Sequence, residues 1–349
     1  MSEKAYYEDV NIKNELKLRE LLSKLPNFCK QFLIGIESTT SSRTRISYAY
    51  DLICFFDYIK QNNPLFKNVD VSTIPISILD QIKSTDIEEY LYYLKVYEKD
   101  GKAHTNEERG LKRKLSSLRT FYRFYFNNEM IQTNPALKVD MPKIHDKNIV
   151  RLDVDEVAIL LDQVESGEDL SANQKKYHEK TKVRDLAIMT LMLGTGIRVS
   201  ECVGLDINDV DWKNNGIKIH RNGGKEVVVF FGDEVRETLL AFFEERKDIV
   251  AMEGSTNALF LSLQRKRIGV RTVENMVKKY SKLVTTIKNI TPHKLRSTYG
   301  TTLYRETGDI YLVADVLGHS DVNTTRKHYA AQEEDRRRYA ASVVKLRDI

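Results

Sequence analysis

The sequence has few residues that interrupt or cross-link a chain. Six prolines and 16 glycines make 22 of 349 residues, about half of the usual ~12%, and this scarcity of helix breakers predicts a mainly helical fold. The three cysteines, Cys29, Cys54 and Cys202, are odd in number and widely spaced, which excludes a disulfide framework and a cysteine zinc cluster. No apolar run approaches the ~20 residues of a membrane span, and no secretory signal begins the chain. We therefore expect a soluble cytoplasmic protein.

Charge is plentiful and nearly balanced. Lys and Arg number 55 against 50 for Asp and Glu, which gives a net charge of +5 and a pI near 8.8. With 30% charged and 41% hydrophobic residues, the chain is globular rather than disordered. A mild basic excess permits nucleic-acid binding without requiring it. The positions of the charges, rather than their sum, indicate whether the protein binds nucleic acid.

The length is typical of two domains. Prolines and the loss of periodicity divide the chain into an N-terminal helical extension (1–27), a helical bundle (28–133), an extended basic linker (134–150) and a second domain (151–349). Within the bundle, apolar spacing predicts helices over 28–36, 42–62, 85–97 and 106–128. The last of these carries a basic face apart from its apolar stripe.

The second domain mixes helices with a small sheet. Residues 186–193 are apolar all round, which predicts a buried helix ended by the glycines at 194 and 196. Residues 217–220 and 227–231 flank a Gly-Gly turn and predict a β-hairpin, with 258–261 as a third strand. Helices then continue to the end of the chain.

Two local motifs place charge where an anion could bind. Arg198 follows the glycine turn, where its guanidinium can be held rigidly for a phosphate; the alternative is a surface arginine paired with Glu201. Thr291 and Pro292 begin a helix, so His293 and Arg296 share a face near its positive end. The alternative there is a capped helix with incidental polar residues.

Further along, residues 310–317 predict a short helix closed by Gly318, with His319 directly after it and Tyr329 ten residues later. Arg198, a hairpin lysine, His293-x-x-Arg296, Gly318-His319 and Tyr329, in that order, resemble a tyrosine recombinase of the phage-integrase class. The resemblance covers almost the whole chain: 115–122 is similar to the last main helix of the core-binding domain, and 195–205, 292–296 and 317–329 to the catalytic boxes. Residues 221–225, 276–281 and 291–296 look most like the Xer recombinases that act alone, the XerS type.

The resemblance implies a mainly α fold with a small β-sheet: an N-terminal SAM-like core-binding bundle and a C-terminal α+β catalytic domain. It also implies that Arg198 and Arg296 clamp the scissile phosphate, that Tyr329 is the nucleophile and that His293 is its general base. Lys225 would protonate the leaving 5′-oxygen, His319 would donate to the phosphate, and Glu201 would orient a neighbour. The product is a 3′-phosphotyrosyl link, and the reaction needs no ATP, metal or other cofactor.

The same resemblance implies the partners. These are double-stranded DNA with a specific recombination site, a homotetramer on two duplexes that exchanges the C-terminal helix from about 333 to 349, and a DNA translocase at the septum. It places the protein at the nucleoid and makes chromosome dimer resolution its role. The residues of the bundle expected to bind DNA are Arg43, Arg45, Lys112, Arg113, Arg119 and Arg123.

Several alternatives stay open. Many relatives have the hairpin lysine at the position of Asn222, so Arg221 rivals Lys225 as the acid. Tyr299, Tyr304 and Tyr339 are rival nucleophiles by residue type, although the first two fall inside a helix behind the site. The protein could instead serve a mobile element as integrase or excisionase, act as a type IB topoisomerase, or be a catalytically silent DNA-binding regulator.

Overall fold

The computed structural model describes residues 6–64, 66–99, 101–145, 150–221, 224–319 and 321–329. The chain divides into two compact units, Ser2–Lys147 and Asn148–Ile349. The division falls within the segment 134–150 that the sequence analysis interprets as a linker. Below, the two are called the N-terminal unit and the C-terminal unit.

The N-terminal unit is a helical bundle with one small hairpin. Its elements are α1 (Tyr6–Leu22), α2 (Cys29–Gly35), α3 (Ser42–Asn62), α4 (Ile78–Gln81), α5 (Ser84–Tyr93), β1 (Val96–Lys99), β2 (Lys102–Thr105) and α6 (Glu108–Asn127). The predicted helix over 85–97 is wrong at its end, because the strand-favouring residues from Val96 onward pair antiparallel with β2. Gly101, with φ +70°, lies in the turn between these strands.

The core of this unit is aromatic and includes segments predicted to lie outside the bundle. Phe121 of α6 makes edge contacts with Phe32 and Phe56. Leu18 and Leu21 of α1 are buried in the same core, although 1–27 is interpreted above as an extension. Ala136 and Val139, from the predicted linker, are buried in the same core. Pro135–Leu137 forms a short 3₁₀ helix rather than an extended chain.

The C-terminal unit is α+β. Its helices are α7 (Val154–Ser166), α8 (Ala172–His178), α9 (Lys182–Thr195), α10 (Val199–Gly204), α11 (Asp233–Lys247), α12 (Val270–Val284), α13 (Pro292–Thr307), α14 (Ile310–Leu317) and α15 (Val322–Tyr329). Its strands are β3 (Val210–Asp211), β4 (Gly216–His220) and β5 (Glu226–Phe230), paired antiparallel in that order.

Helix α9 is the buried centre of this unit, as its apolar sequence predicts, and it packs against α7, α11 and α13. The predicted hairpin is confirmed as β4 and β5. The predicted third strand at 258–261 is wrong, because β3 takes that place beside β4. Residues 258–261 are all buried and make only isolated bridges, to Asp206 and Arg267, so they fill the core without joining the sheet.

A buried polar cluster joins the start of α9 to α12. Asp185 is 2% exposed and accepts hydrogen bonds from Arg184, from Thr181 at 3.0 Å and from the Tyr280 hydroxyl at 3.1 Å. The Lys279 ammonium lies 3.7 Å from the same carboxylate. Because each charge in this cluster has a partner of opposite sign and Asp185 also accepts two neutral hydrogen bonds, the cluster is structural.

The described ranges contain neither a candidate membrane-spanning helix nor a candidate metal-binding cluster. No helix there combines the length and apolar character needed to cross a bilayer. Nor do the His, Cys, Asp and Glu side chains of those ranges form a group of three or more that could hold a metal ion.

Candidate active site

The candidate site is built around the C-terminal end of α14. Gly318 has φ +63°, a left-handed conformation that glycine adopts without strain. Its N–H bonds the Asp315 carbonyl at 2.8 Å, and the His319 N–H bonds the Ala314 carbonyl at 2.9 Å. These two bonds form a Schellman motif, which reverses the chain and sets His319 directly beyond the helix end. The carbonyls of the last turn still require donors.

Three arginines from separate segments supply those donors. Arg221 donates to the Val316 carbonyl at 2.6 Å, Arg296 donates to the Leu317 carbonyl, and Arg198 reaches the Gly318 carbonyl at 3.5 Å. Three consecutive carbonyls thus receive one guanidinium each, and the negative end of the helix dipole faces all three cations. The fold thereby concentrates positive charge at one turn.

Arg198 is oriented by a carboxylate. It stands immediately before α10, where its backbone N–H and its Nη1 donate to the two oxygens of Glu201, each at 2.7 Å. The Glu201 side chain is only 4% exposed, whereas that of Arg198 is 31% exposed. The pairing with Glu201 considered in the sequence analysis therefore exists, and it directs Arg198 toward α14.

Arg296 is the most buried of the three, at 4% exposed. It lies at the start of the second turn of α13 and donates to the Gly196 carbonyl at 2.6 Å as well as to Leu317. Gly196 has φ +64°, and a Cβ there would lie 2.4 Å from the Tyr299 ring. The glycine turn before Arg198 therefore also receives Arg296, so two predicted site residues 98 positions apart meet at one loop.

The predicted histidines lie in different surroundings. The His319 Nδ1 is 2.7 Å from the Oγ1 of Thr325, a fully buried residue of α15. His293 is exposed in the first turn of α13, one turn before Arg296. Thr291 stands at the N-cap position of that helix, but its side chain makes no capping hydrogen bond.

The predicted nucleophile is only partly described. Tyr329 is the last residue of α15, and its side chain lies outside the described part of the structure, as does the predicted exchange helix over 333–349. Of its rivals, Tyr299 is more than half-buried, and this burial raises the pKa of its phenol. A raised pKa makes Tyr299 a poorer nucleophile. Tyr339 also lies outside the described residues.

The two candidates for the general acid, Lys225 and Arg221, lie in different surroundings on the hairpin. Lys225 is exposed just before β5, and its carbonyl accepts the Arg221 N–H at 2.9 Å. Arg221 turns its side chain to α14, while Asn222 lies outside the described residues. Sequence reasoning missed this use of Arg221, and also Thr325 beside His319. No local pattern could reveal the first, because the Arg221 partners lie more than 90 residues away, whereas Thr325 is only six residues from His319.

The basic residues predicted to bind DNA fall into two groups. Arg45 is buried and pairs with Glu15 at 2.5 Å and Glu37 at 3.3 Å, and Arg119 donates to the carbonyls of Ala136 and Val139. The exposed group consists of Arg43, Lys112, Arg113 and Arg123.

Within the exposed group, Arg113 is held by Asp51, a residue of α3 that is 2% exposed. Asp51 also accepts from the buried Lys114 and from Ser117. Arg113 therefore serves the α3–α6 contact as well as the surface.

Comparison with known proteins places this geometry in a family. Residues 151–336 match the phage integrase family. Tyrosine recombinase XerC of Caldanaerobacter subterraneus subsp. tengcongensis is 30% identical over 327 residues, which cover 90% of this chain and 85% of the relative. Tyrosine recombinase XerD of Staphylococcus epidermidis is 29% identical over 307 residues, which cover 88% and 94%.

The fold has counterparts among solved structures. The XerH recombinase bound to palindromic difH substrate, a post-cleavage complex, superposes with a TM-score of 0.64 at 20% identity, covering 87% of this chain and 80% of that one. A lambda integrase tetramer bound to a Holliday junction superposes with a TM-score of 0.59 at 19% identity, covering 86% and 76%. The predicted class, a mainly helical chain with small sheets, is confirmed. The chain belongs to the phage integrase family, that of the tyrosine recombinases, which cleave and rejoin DNA.

Proposed function

We propose that this protein is a site-specific recombinase that cuts and rejoins DNA through a 3′-phosphotyrosyl intermediate on Tyr329. One observation carries the proposal: Arg198, Arg296 and His319 meet at the end of α14, although they come from distant parts of the chain. Phosphoryl transfer depends mainly on positioning and on neutralising charge, and this cluster is suited to both.

Arg198 and Arg296 act as the phosphate clamp. A guanidinium keeps its charge at any working pH and presents N–H donors in a planar fork that matches two phosphate oxygens. Glu201 holds Arg198 from one side, and the Gly196 and Leu317 carbonyls hold Arg296. Both side chains are thus oriented before DNA arrives, which lowers the entropy cost of binding the transition state.

The remaining roles follow the order of proton transfers. The Tyr329 oxygen attacks the scissile phosphorus while His293 accepts its proton. The bond from phosphorus to the 5′-oxygen breaks, and Lys225 delivers a proton to that oxygen. His319 donates from Nε2 to the phosphate, a tautomer consistent with Thr325 donating to Nδ1. Attack by a 5′-hydroxyl on the phosphotyrosine reverses the steps without ATP.

Fewer basic residues of the N-terminal unit are available to bind DNA than the sequence suggests. Arg43, Lys112 and Arg123 are exposed and available to phosphates, and Arg113 is exposed but shared with Asp51. Arg45 and Arg119 instead support the bundle, since each is already bonded to protein groups. We also propose a homotetramer on two duplexes that exchanges the C-terminal segment about 333–349, in line with the tetrameric lambda integrase on a Holliday junction.

The biological role proposed is chromosome dimer resolution of the Xer type, at the nucleoid in the cytoplasm and under a septal DNA translocase. Its support is that the curated relatives, at 28–30% identity over most of the chain, are XerC and XerD recombinases. Service to a mobile element as integrase or excisionase is the alternative. Cleavage at a resolution site on the host chromosome, rather than at a mobile-element site, would favour the first role.

The test is covalent capture on a suicide substrate. A nicked duplex that carries the host resolution site is incubated with the wild type, with Tyr329→Phe and with the control Tyr304→Phe. Denaturing gels should show a protein–DNA adduct for the wild type and the control and none for Tyr329→Phe. An adduct that persists in Tyr329→Phe would exclude this nucleophile. Tight binding with no adduct from any protein, on host and mobile-element sites alike, would favour a silent regulator.

A further inference from the structure

Arg221 lies at the candidate site, but the proposed reaction assigns it no role. Besides its bond to the Val316 carbonyl at 2.6 Å, its Nη1 lies 3.3 Å from the Asp315 carbonyl. Its Nε is buried without a hydrogen-bond partner. The guanidinium is therefore enclosed against the end of α14, with both of its terminal nitrogens directed at backbone carbonyls.

The contact with Gly318 shows how close this packing is. A Cβ at position 318 would lie 2.0 Å from the Arg221 Nη1 and 2.4 Å from its Cζ. Position 318 thus needs glycine for two reasons, its positive φ and the guanidinium that occupies the space of a side chain. Arg221 lies directly against the turn that carries His319.

The backbone of Arg221 simultaneously closes the β4–β5 hairpin. Its N–H bonds the Lys225 carbonyl at 2.9 Å, and its carbonyl accepts the Gly224 N–H at 3.1 Å. One residue therefore bonds the hairpin that carries Lys225 through its main chain and the turn at Gly318 through its side chain. The two groups that must meet the same phosphate are linked through it.

We infer that Arg221 is a positioning residue that fixes the Gly318–His319 turn relative to the Lys225 hairpin. The inference rests on the proposed function, since it assumes that this turn and Lys225 act on one phosphate. Misplacing a reacting group by about 1 Å can cost ~10²-fold in rate. Losing the Arg221 side chain should therefore slow cleavage without removing any group that transfers a proton.

The same geometry argues against Arg221 as the acid. A guanidinium does not give up a proton at any pH the protein would meet. The buried Nε has no access to a leaving oxygen, and the Nη groups are held by carbonyls. Lys225, by contrast, is exposed and carries an ammonium group, whose N–H can be transferred to an oxygen.

A sulfur-substituted substrate separates positioning from acid catalysis. Replacing the bridging 5′-oxygen by sulfur creates a thiolate leaving group, which has a conjugate-acid pKa near ~8.5 and departs without a proton. Single-turnover cleavage is measured on the oxygen and sulfur substrates for the wild type, Arg221→Met, Arg221→Lys and Lys225→Met. Arg236→Met is the matched control, because Arg236 also donates to a carbonyl near the sheet, that of Trp212 at 2.6 Å, but serves no part of the site.

The expected pattern is distinct for each variant. Lys225→Met loses about 10²-fold or more on oxygen and recovers to within several-fold of the wild type on sulfur. Arg221→Met loses about 10- to 100-fold on both substrates alike, with DNA affinity unchanged. Arg221→Lys regains part of the rate, since an ammonium can bond one carbonyl. Arg236→Met cleaves at the wild-type rate.

Two results would overturn the inference. Recovery of Arg221→Met on sulfur would make Arg221 the acid, and wild-type rates on both substrates would leave it no role. Loss of folding in Arg221→Met, seen by thermal melting, transfers the test to Arg221→Lys, whose rates must fall equally on both substrates. If the wild type forms no adduct on either substrate, the proposed function itself fails, which is a separate result.

Discussion

Guanidinium groups lie against backbone carbonyls at several places in the C-terminal unit, and two of these places differ in how many arginines they bring together. Arg246, 4% exposed, donates to the carbonyls of Ala258, Ile249 and Thr256 at 2.9–3.1 Å. A single arginine thereby donates to the carbonyls of the one loop that follows its own helix. At the end of α14, three arginines gather around one turn, and among the described residues the carboxylate of Glu201 is bonded to Arg198 there.

The difference shows how a structural arginine can be told from one that awaits an anion. A contact between an arginine and a carbonyl is by itself structural, as Arg246 and Arg119 illustrate. Three cations around a helix end exceed what the carbonyls require, and gathering them costs free energy through mutual repulsion. A phosphate at that point would offset this cost. The surplus of positive charge, rather than burial or hydrogen bonding, marks the site.

The largest expected effect comes from removing a clamp residue. Arg296→Ala should lower single-turnover cleavage by about 10³-fold or more, because an arginine that neutralises charge in phosphoryl transfer contributes on this scale. Arg296→Lys should recover little, since an ammonium lacks the planar fork. Quenched-flow gels on the suicide substrate measure the rate, and melting curves check the fold. Cleavage within tenfold of the wild type would remove Arg296 from the clamp.

The comparison predicts the opposite outcome at Arg246. Arg246→Met removes a buried side chain that donates to three backbone carbonyls and should reduce the free energy of unfolding by about 3 kcal/mol. The cleavage rate of the folded fraction should remain that of the wild type. Urea denaturation and active-site titration by the covalent adduct measure the two quantities. A stable variant that has lost cleavage would erase the distinction between the two arginine sites.

A second structural cluster, around Asp185, should show itself in the dependence of stability on pH. Burial first, and then the neighbouring Asp185, raise the pKa of the Tyr280 phenol well above its usual value. The folded state therefore keeps this proton where the unfolded state loses it, so stability falls as pH rises above about 10. Lys279 and Arg184 face the same carboxylate, and burial lowers the pKa of Lys279.

Tyr280→Phe separates the phenol from these neighbours. The variant should lose about 1 kcal/mol at pH 7, the contribution of one hydrogen bond, and should lose less stability than the wild type above pH 10. Urea midpoints at pH 7, 9 and 11 give the difference. An equal difference between the two proteins at all three pH values would show that Tyr280 does not titrate in this way.

The smallest effect concerns the surface of α6. Arg123→Gln should reduce the salt dependence of DNA binding by about one phosphate contact and weaken binding several-fold. Arg119→Gln, the matched variant on the same helix, should leave the salt slope unchanged and cost about 1 kcal/mol of stability through its lost bonds to Ala136 and Val139. Fluorescence anisotropy over a salt series measures both slopes. Equal slopes for the two variants would contradict the division of these arginines into structural and surface groups.

Prediction from sequence succeeded where a pattern is local. Helix α3 has the predicted bounds, because its serine cap and apolar spacing lie within one segment. The end of α14 at Gly318 follows equally from neighbouring residues. Prediction failed where strand pairing decides the structure: β3 rather than 258–261 pairs with β4, and the residues from Val96 form a strand because a partner strand lies across a tight turn.

The sequence by itself determined the family resemblance, the helical class and the order of the site residues, since these depend on residue identity and short spacing. Tertiary structure decided which arginines work together. Arg45 and Arg119 look like surface cations in the sequence, yet the bundle bonds them internally. Arg221 looks like a rival acid, yet it bonds carbonyls 95 positions away. The partners of a long, flexible side chain depend on which backbone the fold brings within reach, and local spacing does not encode that distance.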